Sequence, residues 1–310
     1  MSSIEGGDAE VPTAFRAGAE FYRAHGLGND YLVFEAVRSS LPGWPVRGAS
    51  VRRVCDRWRG VGSDGIVVLL EREPEDGVFP LRMFNPDGSG FERSGNGLRI
   101  LASYLHGEGL VGRAPFEVRS GGSVIPMTIH AEESGGVFDV SVEMGKAKVG
   151  GEWVRLDPTR LDPEGRVVHP SRGPIAFVPV SVGNPHAVVF TSGGSDSLLP
   201  DIGPFLATHP AFREGTNVQL VDDMSPGRIR ILVWERGVGR TSASGTSSCA
   251  AAAAAVATGR LAPGRILVEM EGGELEVTVA DGLSITLRGP VEEIARGRLT
   301  SGFLEALATV

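Results

Sequence analysis

Two serines in this chain each open an apolar segment and are each followed by glycine and a small polar residue. Ser94 begins SGNGLRILA and Ser244 begins SGTSSCAAAA. The free N–H groups and the positive dipole end of a helix N-terminus hold a carboxylate well. If both segments face one cleft, an amino-acid α-carboxylate could be gripped between the two hydroxyls. In a two-base racemase, one such group removes the α-proton and the other returns a proton to the opposite face.

The two serine segments have similar lead-ins, FERSGNGLRILA and TSASGTSSCAAAA, and an acidic residue precedes each of them (Asp87 and Glu235). The serines are 150 residues apart, from position 94 to position 244. We interpret this similarity as an internal duplication that predicts two similar domains facing one another.

Strand patterns dominate the rest of the chain. Short β-branched runs alternate with turn residues, and several of them alternate apolar and polar side chains as half-buried strands do. Helices are predicted over Gly97–Gly107 and Cys249–Gly259, and the second is apolar on every side, which indicates burial in a core. The strand-like runs are GIVVLLE, PFEVRS, SVIPMTIHA, FDVSVEM, FVPVSVG, HAVVFT, IRILVW, ILVEM, LEVTVA and LSITL.

Composition limits the function classes. The 310 residues carry a net charge of -8, which favours neither nucleic acid nor an anionic membrane as a partner. The longest apolar run, Ala250–Ala257, is far shorter than the roughly 20 residues that span a bilayer. The first residues lack a secretory signal pattern, so we expect a cytoplasmic protein. Cys55 and Cys249 form no metal-ligand spacing and are interpreted as reduced, buried thiols.

Six ordered motifs identify a family resemblance. From His25 to about Gly302 the chain resembles the diaminopimelate epimerase family, which consists of cofactor-independent amino-acid isomerases. The matching motifs are HGLGND (25–30), CDRWRGVGSDG (55–65), NPDGSGFERSGNGLR (85–99), GNPHAVVF (183–190), HPAFREGTNVQ (209–219) and WERGVGRTSASGTSSCA (234–250).

The resemblance implies an α/β fold of two pseudo-symmetric domains, in each of which a mixed, mostly antiparallel sheet wraps around a central helix. It predicts a first domain formed by 21–144 and 292–310 and a second domain at 145–291. The polar composition of the first residues predicts a flexible extension at 1–20. The region 135–153 is the expected crossing between the halves. Neither metal nor PLP is implied, and a homodimer is left open.

The resemblance also assigns roles by position. The reaction it implies inverts the α-carbon of LL-diaminopimelate or a similar amino acid in the cleft between the domains, a step of lysine biosynthesis. His186 and Glu235 match groups that assist the two catalytic positions, 94 and 244. The residues matching substrate-binding positions are Asn29, Asn85, Asn184, Asn217, Glu235 and Arg236, mostly at the distal end, and Gly95, Asn96, Gly245 and Thr246 at the reacting carboxylate.

The chain departs from the family at the catalytic positions. Ser94 and Ser244 stand where the family has cysteine, and Arg93 and Arg240 stand where it usually has an apolar residue and a glutamate. An alcohol near the pKa of ~15.7 of water is about 7 units weaker as an acid than a thiol near ~8.5, a difference on the order of 10 kcal/mol. One helix dipole supplies at most about 2 kcal/mol.

Three interpretations of the serines stay open. The chain is a natural relative in which partner groups assist the serines, a cysteine-dependent epimerase carrying engineered Cys→Ser changes, or an amino-acid-binding protein that has lost turnover. The last belongs to a different functional class, and ligand binding without α-proton exchange would establish it.

Overall fold

The computed structural model describes residues 15–38, 40–133 and 135–310. Most of the predicted 1–20 extension, residues 1–14, lies outside this part. Residues 16–18 already form a strand, so the ordered fold begins earlier than the predicted boundary at 21. The strands are β1 (Arg16–Gly18), β2 (Glu20–Gly26), β3 (Asn29–Val37), β4 (Gly43–Pro45), β5 (Ile66–Leu69), β6 (Val78–Phe84), β7 (Gly90–Phe91), β8 (Phe116–Ser120), β9 (Ser123–Glu133), β10 (Val137–Lys146), β11 (Lys148–Val149), β12 (Val167–His169), β13 (Gly173–Ile175), β14 (Val178–Ser181), β15 (Pro185–Phe190), β16 (Asn217–Ser225), β17 (Arg228–Glu235), β18 (Gly239–Thr241), β19 (Gly264–Met270), β20 (Gly273–Val279) and β21 (Ser284–Arg298).

Helices are fewer in this part of the chain. They are α1 (Gly48–Cys55), α2 (Gly95–Gly107), α3 (Ser195–Ala207), α4 (Gly245–Ala257) and α5 (Ser301–Ala308). All ten strand-like runs in the sequence fall on strands, because each is rich in β-branched residues, and several also show period-two burial.

Eight strands of the first half close into a ring. The order is β2–β3–β5–β6–β8–β9–β10–β21, and β21 returns to β2. The pairs β3–β5 and β6–β8 are parallel and the others antiparallel. The sheet is therefore mixed and mostly antiparallel, as predicted.

The second half repeats this pattern. The order is β14–β15–β16–β17–β19–β20–β21, then the end of β10, from which β11 leads back to β14. The parallel pairs, β15–β16 and β17–β19, fall at the same steps as in the first ring. The rings are pseudo-symmetric and share β10 and β21, which exchange roles between them. The predicted crossing region 135–153 contains β10 and β11.

A helix fills each ring. In α4, residues Cys249 to Ala255 are fully buried, because alanine lets the surrounding strands of the ring approach the helix closely. Both helices begin earlier than predicted: α2 begins at Gly95 rather than Gly97, and α4 at Gly245 rather than Cys249. The Ser-Gly-polar lead-ins are thus the first helical turns themselves.

Three further helices lie outside the rings. Pro200 and Pro204 lie within α3, and proline normally interrupts a helix, so the sequence pattern gave no indication of this one. Leu307 of α5 packs with Val51 of α1 and with Trp44, which fastens the C-terminal segment to the first half. No helix in the described part of the chain is long and apolar enough to cross a bilayer.

Candidate functional site

A cleft of about 1530 Å³ lies between the two rings, where α2 and α4 begin. This volume exceeds the ~300–1,000 Å³ of most small-molecule sites, so an amino acid fits with room to spare. Every predicted substrate-binding residue lines the cleft, and so do three of the four predicted catalytic residues. Those lining it are Asn29, Asn85, Ser94, Gly95, Asn96, Asn184, Asn217, Glu235, Arg236, Ser244, Gly245 and Thr246.

The two helix N-termini meet across a single leucine. A Cβ added to Gly95 would lie 2.4 Å from Leu287 Cδ2, and one added to Gly245 would lie 2.9 Å from the same atom. The latter would also lie 3.8 Å from the Gly95 Cα. Glycine is therefore required at both helix starts, and the two sets of unpaired N–H groups open into one cleft.

Ser94 caps its own helix. Its Oγ accepts a hydrogen bond from the Gly97 N–H at 3.1 Å and donates to the Tyr31 hydroxyl at 3.3 Å. Tyr31 lies on β3, is 6% exposed, and lines the cleft. Burial, together with the charges of Asp64 and Glu235, raises the pKa of Tyr31 to about 12. Ser94 thus has a hydroxyl partner that the sequence did not reveal.

Ser244 is arranged differently. It is 7% exposed, and its side chain makes no capping hydrogen bond to α4. Burial raises the pKa of the nearby Glu235 carboxyl above its ordinary value, and hydrogen bonds from Thr241 (2.8 Å) and Ser244 offset part of that shift. Glu235 is therefore the carboxyl group beside Ser244.

His186 does not line the cleft, although it was a predicted catalytic residue. Its side chain is fully buried, and its ring lies between Asn184 Oδ1, 2.8 Å from Nε2, and Gln219 Nε2, 3.0 Å from Nδ1. An acceptor on one side and a donor on the other fix the neutral tautomer protonated at Nε2. Burial lowers the pKa of His186 to about 3. Both ring nitrogens of His186 are therefore engaged by Asn184 and Gln219, and His186 makes no hydrogen bond to Ser94 among the described residues.

Strand register explains the position of His186. Ile66 pairs with Leu32 and Phe84 in the first ring, as Val218 pairs with Ala187 and Trp234 in the second. His186 is therefore the counterpart of Tyr31. By the same register, the counterpart of Glu235 is Asn85, not the Asp87 that the lead-in similarity suggested.

A chain of polar side chains underlies the first helix start. Arg99 donates to Asn96 Oδ1, and Asn96 Nδ2 donates to Asn29 Oδ1 at 2.8 Å. Asn29 Nδ2 in turn donates to Asp64 Oδ2 at 3.0 Å, and Arg57 pairs with the other Asp64 oxygen at 2.7 Å. Asp64 thereby orients Asn29, because both ends of the Asn29 amide are hydrogen-bonded within this chain of side chains.

Arg99 ends this chain inside the core. It is fully buried, and its Nε and Nη1 have no hydrogen-bond partner among the described residues. Burial lowers the pKa of Arg99 to about 10, so it stays charged at neutral pH. A desolvated cation behind the first turn of α2 adds to the positive potential at the helix start.

In the second half, backbone groups fix the side-chain amide of Asn217. Asn217 Oδ1 accepts from the Arg236 N–H at 3.0 Å, and its Nδ2 donates to the Pro185 carbonyl at 3.1 Å. The Arg236 guanidinium donates to the Glu214 carbonyl. On the opposite wall Asn85 donates to Ser89 Oγ at 3.0 Å.

The two unexpected arginines differ. Arg240 forms ion pairs with Asp196 at 2.7 Å and Glu271 at 2.9 Å, so its charge is compensated away from Ser244. Arg93 donates to the Met144 carbonyl and forms no ion pair within the described residues. It lines the cleft together with Lys146 and Lys148, the only lysines in the chain. This edge of the cleft is therefore positively charged, despite the net charge of -8.

Neither cysteine reaches the cleft. Burial raises the pKa of Cys55 to about 11 and that of Cys249 to about 12, and neither residue lines the cavity. Across residues 15–38, 40–133 and 135–310, no three His, Cys, Asp or Glu side chains are grouped in a way that could hold a metal ion.

Three residues in or beside the site could not be identified as such from the sequence. Tyr31 is hidden in the apolar strand NDYLVFEAV, and Leu287 lies in an ordinary alternating strand. Gln219 ends the motif HPAFREGTNVQ but carries no recognisable chemistry alone. Only the Asn-Asp-Tyr sequence directly after a glycine turn was a usable signal, because it places polar side chains at a strand end.

Comparison with known proteins gives a consistent result along the chain. The family model described as diaminopimelate epimerase matches residues 21–150 and 178–293. A diaminopimelate epimerase of Desulforudis audaxviator is 40% identical over 280 residues, covering 90% of this chain and 98% of the relative. Diaminopimelate epimerase 2 of a Nostoc species is 36% identical over 285 residues, covering 91% and 96%.

Solved structures share the fold at low sequence identity. A predicted epimerase from Pseudomonas aeruginosa superposes with a TM-score of 0.66 at 19% identity, covering 92% of this chain and all of that one. A hydroxyproline epimerase from Agrobacterium vitis with bound trans-4-hydroxy-L-proline has a TM-score of 0.63 at 17% identity, covering 94% and 98%. Both confirm the two-domain, pseudo-symmetric fold.

Proposed function

This chain belongs to the diaminopimelate epimerase family, and from that premise we propose that it is a PLP-independent isomerase. It inverts the α-carbon of LL-diaminopimelate or a similar amino acid by two-base proton transfer. The observation that carries the proposal is the meeting of two helix N-termini in one cleft, each opened by a hydroxyl side chain. Opposed proton carriers around one carboxylate site are what inversion requires.

In this proposal the two helix starts bind the reacting carboxylate. The N–H groups of Gly95 and Asn96, and those of Gly245 and Thr246, carry the positive ends of α2 and α4. The support is geometric, since Leu287 brings both starts together and their first-turn N–H groups lack helical partners. The desolvated charge of Arg99 strengthens the attraction.

The amides lining the cleft bind the distal end of the substrate. Asn29 and Asn85 act from the first half, and Asn184, Asn217 and Arg236 from the second. A second amino-acid head group needs both donors and acceptors, which amides supply together. The positive edge formed by Arg93, Lys146 and Lys148 favours a substrate with a second anionic group.

Ser94 and Ser244 face opposite sides of the substrate α-carbon. In one direction, Ser244 removes the α-proton and Ser94 supplies a proton from the other face, and in the reverse direction the two exchange roles. Glu235 serves as the proton partner of Ser244. We assign His186 to holding Asn184, because its ring nitrogens are engaged elsewhere.

A second candidate is amino-acid binding without turnover. The observation favouring it is that Ser94 Oγ accepts a capping hydrogen bond from the Gly97 N–H of α2, which is an ordinary structural role of serine. The engineered Cys→Ser interpretation makes the same prediction for this chain, together with recovery of activity when cysteine is restored.

We also propose that the chain divides into 21–144 with 292–310, and 145–291. The support is the ring topology, in which α5 and the end of β21 join the first half. Both boundaries fall within the shared strands β10 and β21, so the two halves are expected to unfold together.

Chiral chromatography of LL-diaminopimelate after incubation with the protein tests the proposal. We expect meso product from the wild type, more from Ser94→Cys/Ser244→Cys, and none from Ser94→Ala/Ser244→Ala. Binding of LL-diaminopimelate without product from either the wild type or the cysteine variant would establish the second candidate. Product from the cysteine variant alone would establish a cysteine-dependent scaffold.

A further inference from the structure

Tyr31 and Ser94 form the only described tyrosine–serine hydroxyl pair that lines the cleft. The Ser94 hydroxyl accepts from the Gly97 N–H and donates to Tyr31 Oη at 3.3 Å. The phenol makes no other hydrogen bond among the described side chains, although Tyr31 is only 6% exposed. A buried hydroxyl with one partner is positioned to exchange a proton with that partner.

The chemistry of serine calls for such a partner. An alcohol near the pKa of ~15.7 of water is on the order of 10³–10⁴-fold weaker as an acid than Tyr31, even though burial raises the pKa of Tyr31 to about 12. If the Ser94 proton passes to a phenolate, the alkoxide never has to exist as a separate species. Helix α2 stabilises negative charge at this point through the Gly97 N–H.

We propose that Tyr31 is the proton-relay partner of Ser94, a role that rests on the proposed isomerase function. In one direction the α-proton bonds to Ser94 Oγ as the Ser94 hydroxyl proton moves to the Tyr31 phenolate. At the other face Ser244 gives its proton to the α-carbon and regains one from the Glu235 carboxyl. Tyr31 gains one proton and Glu235 loses one, so charge and atoms balance. The reverse direction starts from the Tyr31 phenol and the Glu235 carboxylate.

In this proposal the two halves supply different proton partners to their serines. His186 holds the position in the second ring that Tyr31 holds in the first, but its nitrogens are bound to Asn184 and Gln219. Glu235 takes over beside Ser244. Tyr31 acts on the substrate only through Ser94, so we class it as a positioning residue. Unlike a residue that only packs against Ser94, it exchanges a proton with it.

The surroundings of Tyr31 set the resting state. Asp64, Glu235 and Cys55 face it, and burial with these groups raises the pKa of Tyr31 to about 12. The phenol is therefore protonated at neutral pH. In this state the free protein can react with the isomer whose α-proton faces Ser244. Reaction of the other isomer needs the Tyr31 phenolate together with the Glu235 carboxyl, so it starts from the rarer of the two protonation states.

The test is a double-mutant cycle that compares Tyr31→Phe in the wild type and in Ser94→Cys. The readout is deuterium incorporation from D₂O at the α-carbon of LL- and meso-diaminopimelate between pH 7 and 10. We expect Tyr31→Phe to slow exchange at least about 100-fold beside Ser94, the low end of general acid–base effects. In the Ser94→Cys background the loss should be at least tenfold smaller, because a thiol ionises near neutral pH unaided.

Tyr22→Phe is the matched control. Its hydroxyl lies 2.9 Å from Ser103 Oγ in the same ring but does not line the cleft, so exchange should be unchanged. Equal losses from Tyr31→Phe in both backgrounds, or no loss, with an active wild type would overturn the relay and leave the proposed function standing. A silent wild type beside an active Ser94→Cys/Ser244→Cys variant would overturn the relay and establish a cysteine-dependent scaffold. Silence of both proteins would overturn the proposed function as well.

Discussion

The close contact of the two helix starts with Leu287 can be tested by substituting this leucine and the glycines beside it. Carbon atoms in contact lie about 3.5–4.0 Å apart. A Cβ at Gly95 would lie 2.4 Å from Leu287 Cδ2, at least about 1.1 Å too close, whereas one at Gly245 would be about 0.6 Å too close. Overpacking costs about 1–3 kcal/mol. We therefore expect Gly95→Ala to lower the free energy of unfolding by about 2–3 kcal/mol, and Gly245→Ala by about 1 kcal/mol.

Removing the leucine side chain should relieve the overlap. Leu287 is fully buried, so Leu287→Ala alone should cost about 2–5 kcal/mol through the cavity that it leaves. The double variant Gly95→Ala/Leu287→Ala should be more stable than the sum of the single effects by about 1 kcal/mol or more. Urea unfolding followed by circular dichroism gives all four free energies, with the m-value as a check on the unfolding transition.

Gly112→Ala is the control, because a Cβ there meets nothing within 4 Å and the glycine has no positive φ. Its effect should stay within about 0.5 kcal/mol. Additive effects of Gly95→Ala and Leu287→Ala would refute the reasoning, since they would mean that the helix start and the leucine do not touch.

Three further predictions concern buried ionisable groups. Burial raises the pKa of Glu235, so the ionised carboxylate destabilises the fold above its ordinary pKa. Glu235→Gln should therefore raise the urea midpoint at pH 8 and raise it less at pH 4. The same increase in midpoint at both pH values would contradict this. Because the pKa of His186 is lowered to about 3, stability should fall as the pH drops from 6.5 towards 3, by about 2 kcal/mol at pH 5. His186→Gln should lack that loss, and an equal slope in both proteins would exclude His186 as its source. Cys55 and Cys249 should react with a thiol reagent only after unfolding, and fast labelling of native protein would contradict their burial.

The strands and both central helices could be predicted from sequence because each leaves a local pattern. Period-two alternation marks the strands, and the run Ala250–Ala255 can be stable only in a core. Helix α3 could not be predicted, because Pro200 and Pro204 argue against any helix. The ring closure is also invisible locally, since it depends on pairs such as Asp139 with Pro290, far apart in the chain.

The candidate site was predictable as a set of lining residues but not as a set of partners. Glycines, asparagines and serines at helix and strand ends mark where a ligand can approach backbone groups. The proton partners depend on pairing between distant strands. That pairing places Tyr31 beside Ser94 and leaves His186 between Asn184 and Gln219.

The central claim is that two opposed hydroxyls exchange the α-proton of a bound amino acid. Proton NMR of LL-diaminopimelate in D₂O with the wild-type protein, beside Ser94→Ala/Ser244→Ala, tests it most directly. We expect loss of the α-proton signal and appearance of the meso isomer with the wild type, and neither with the double variant. An α-proton signal that persists with the wild type while the amino acid is bound would contradict it.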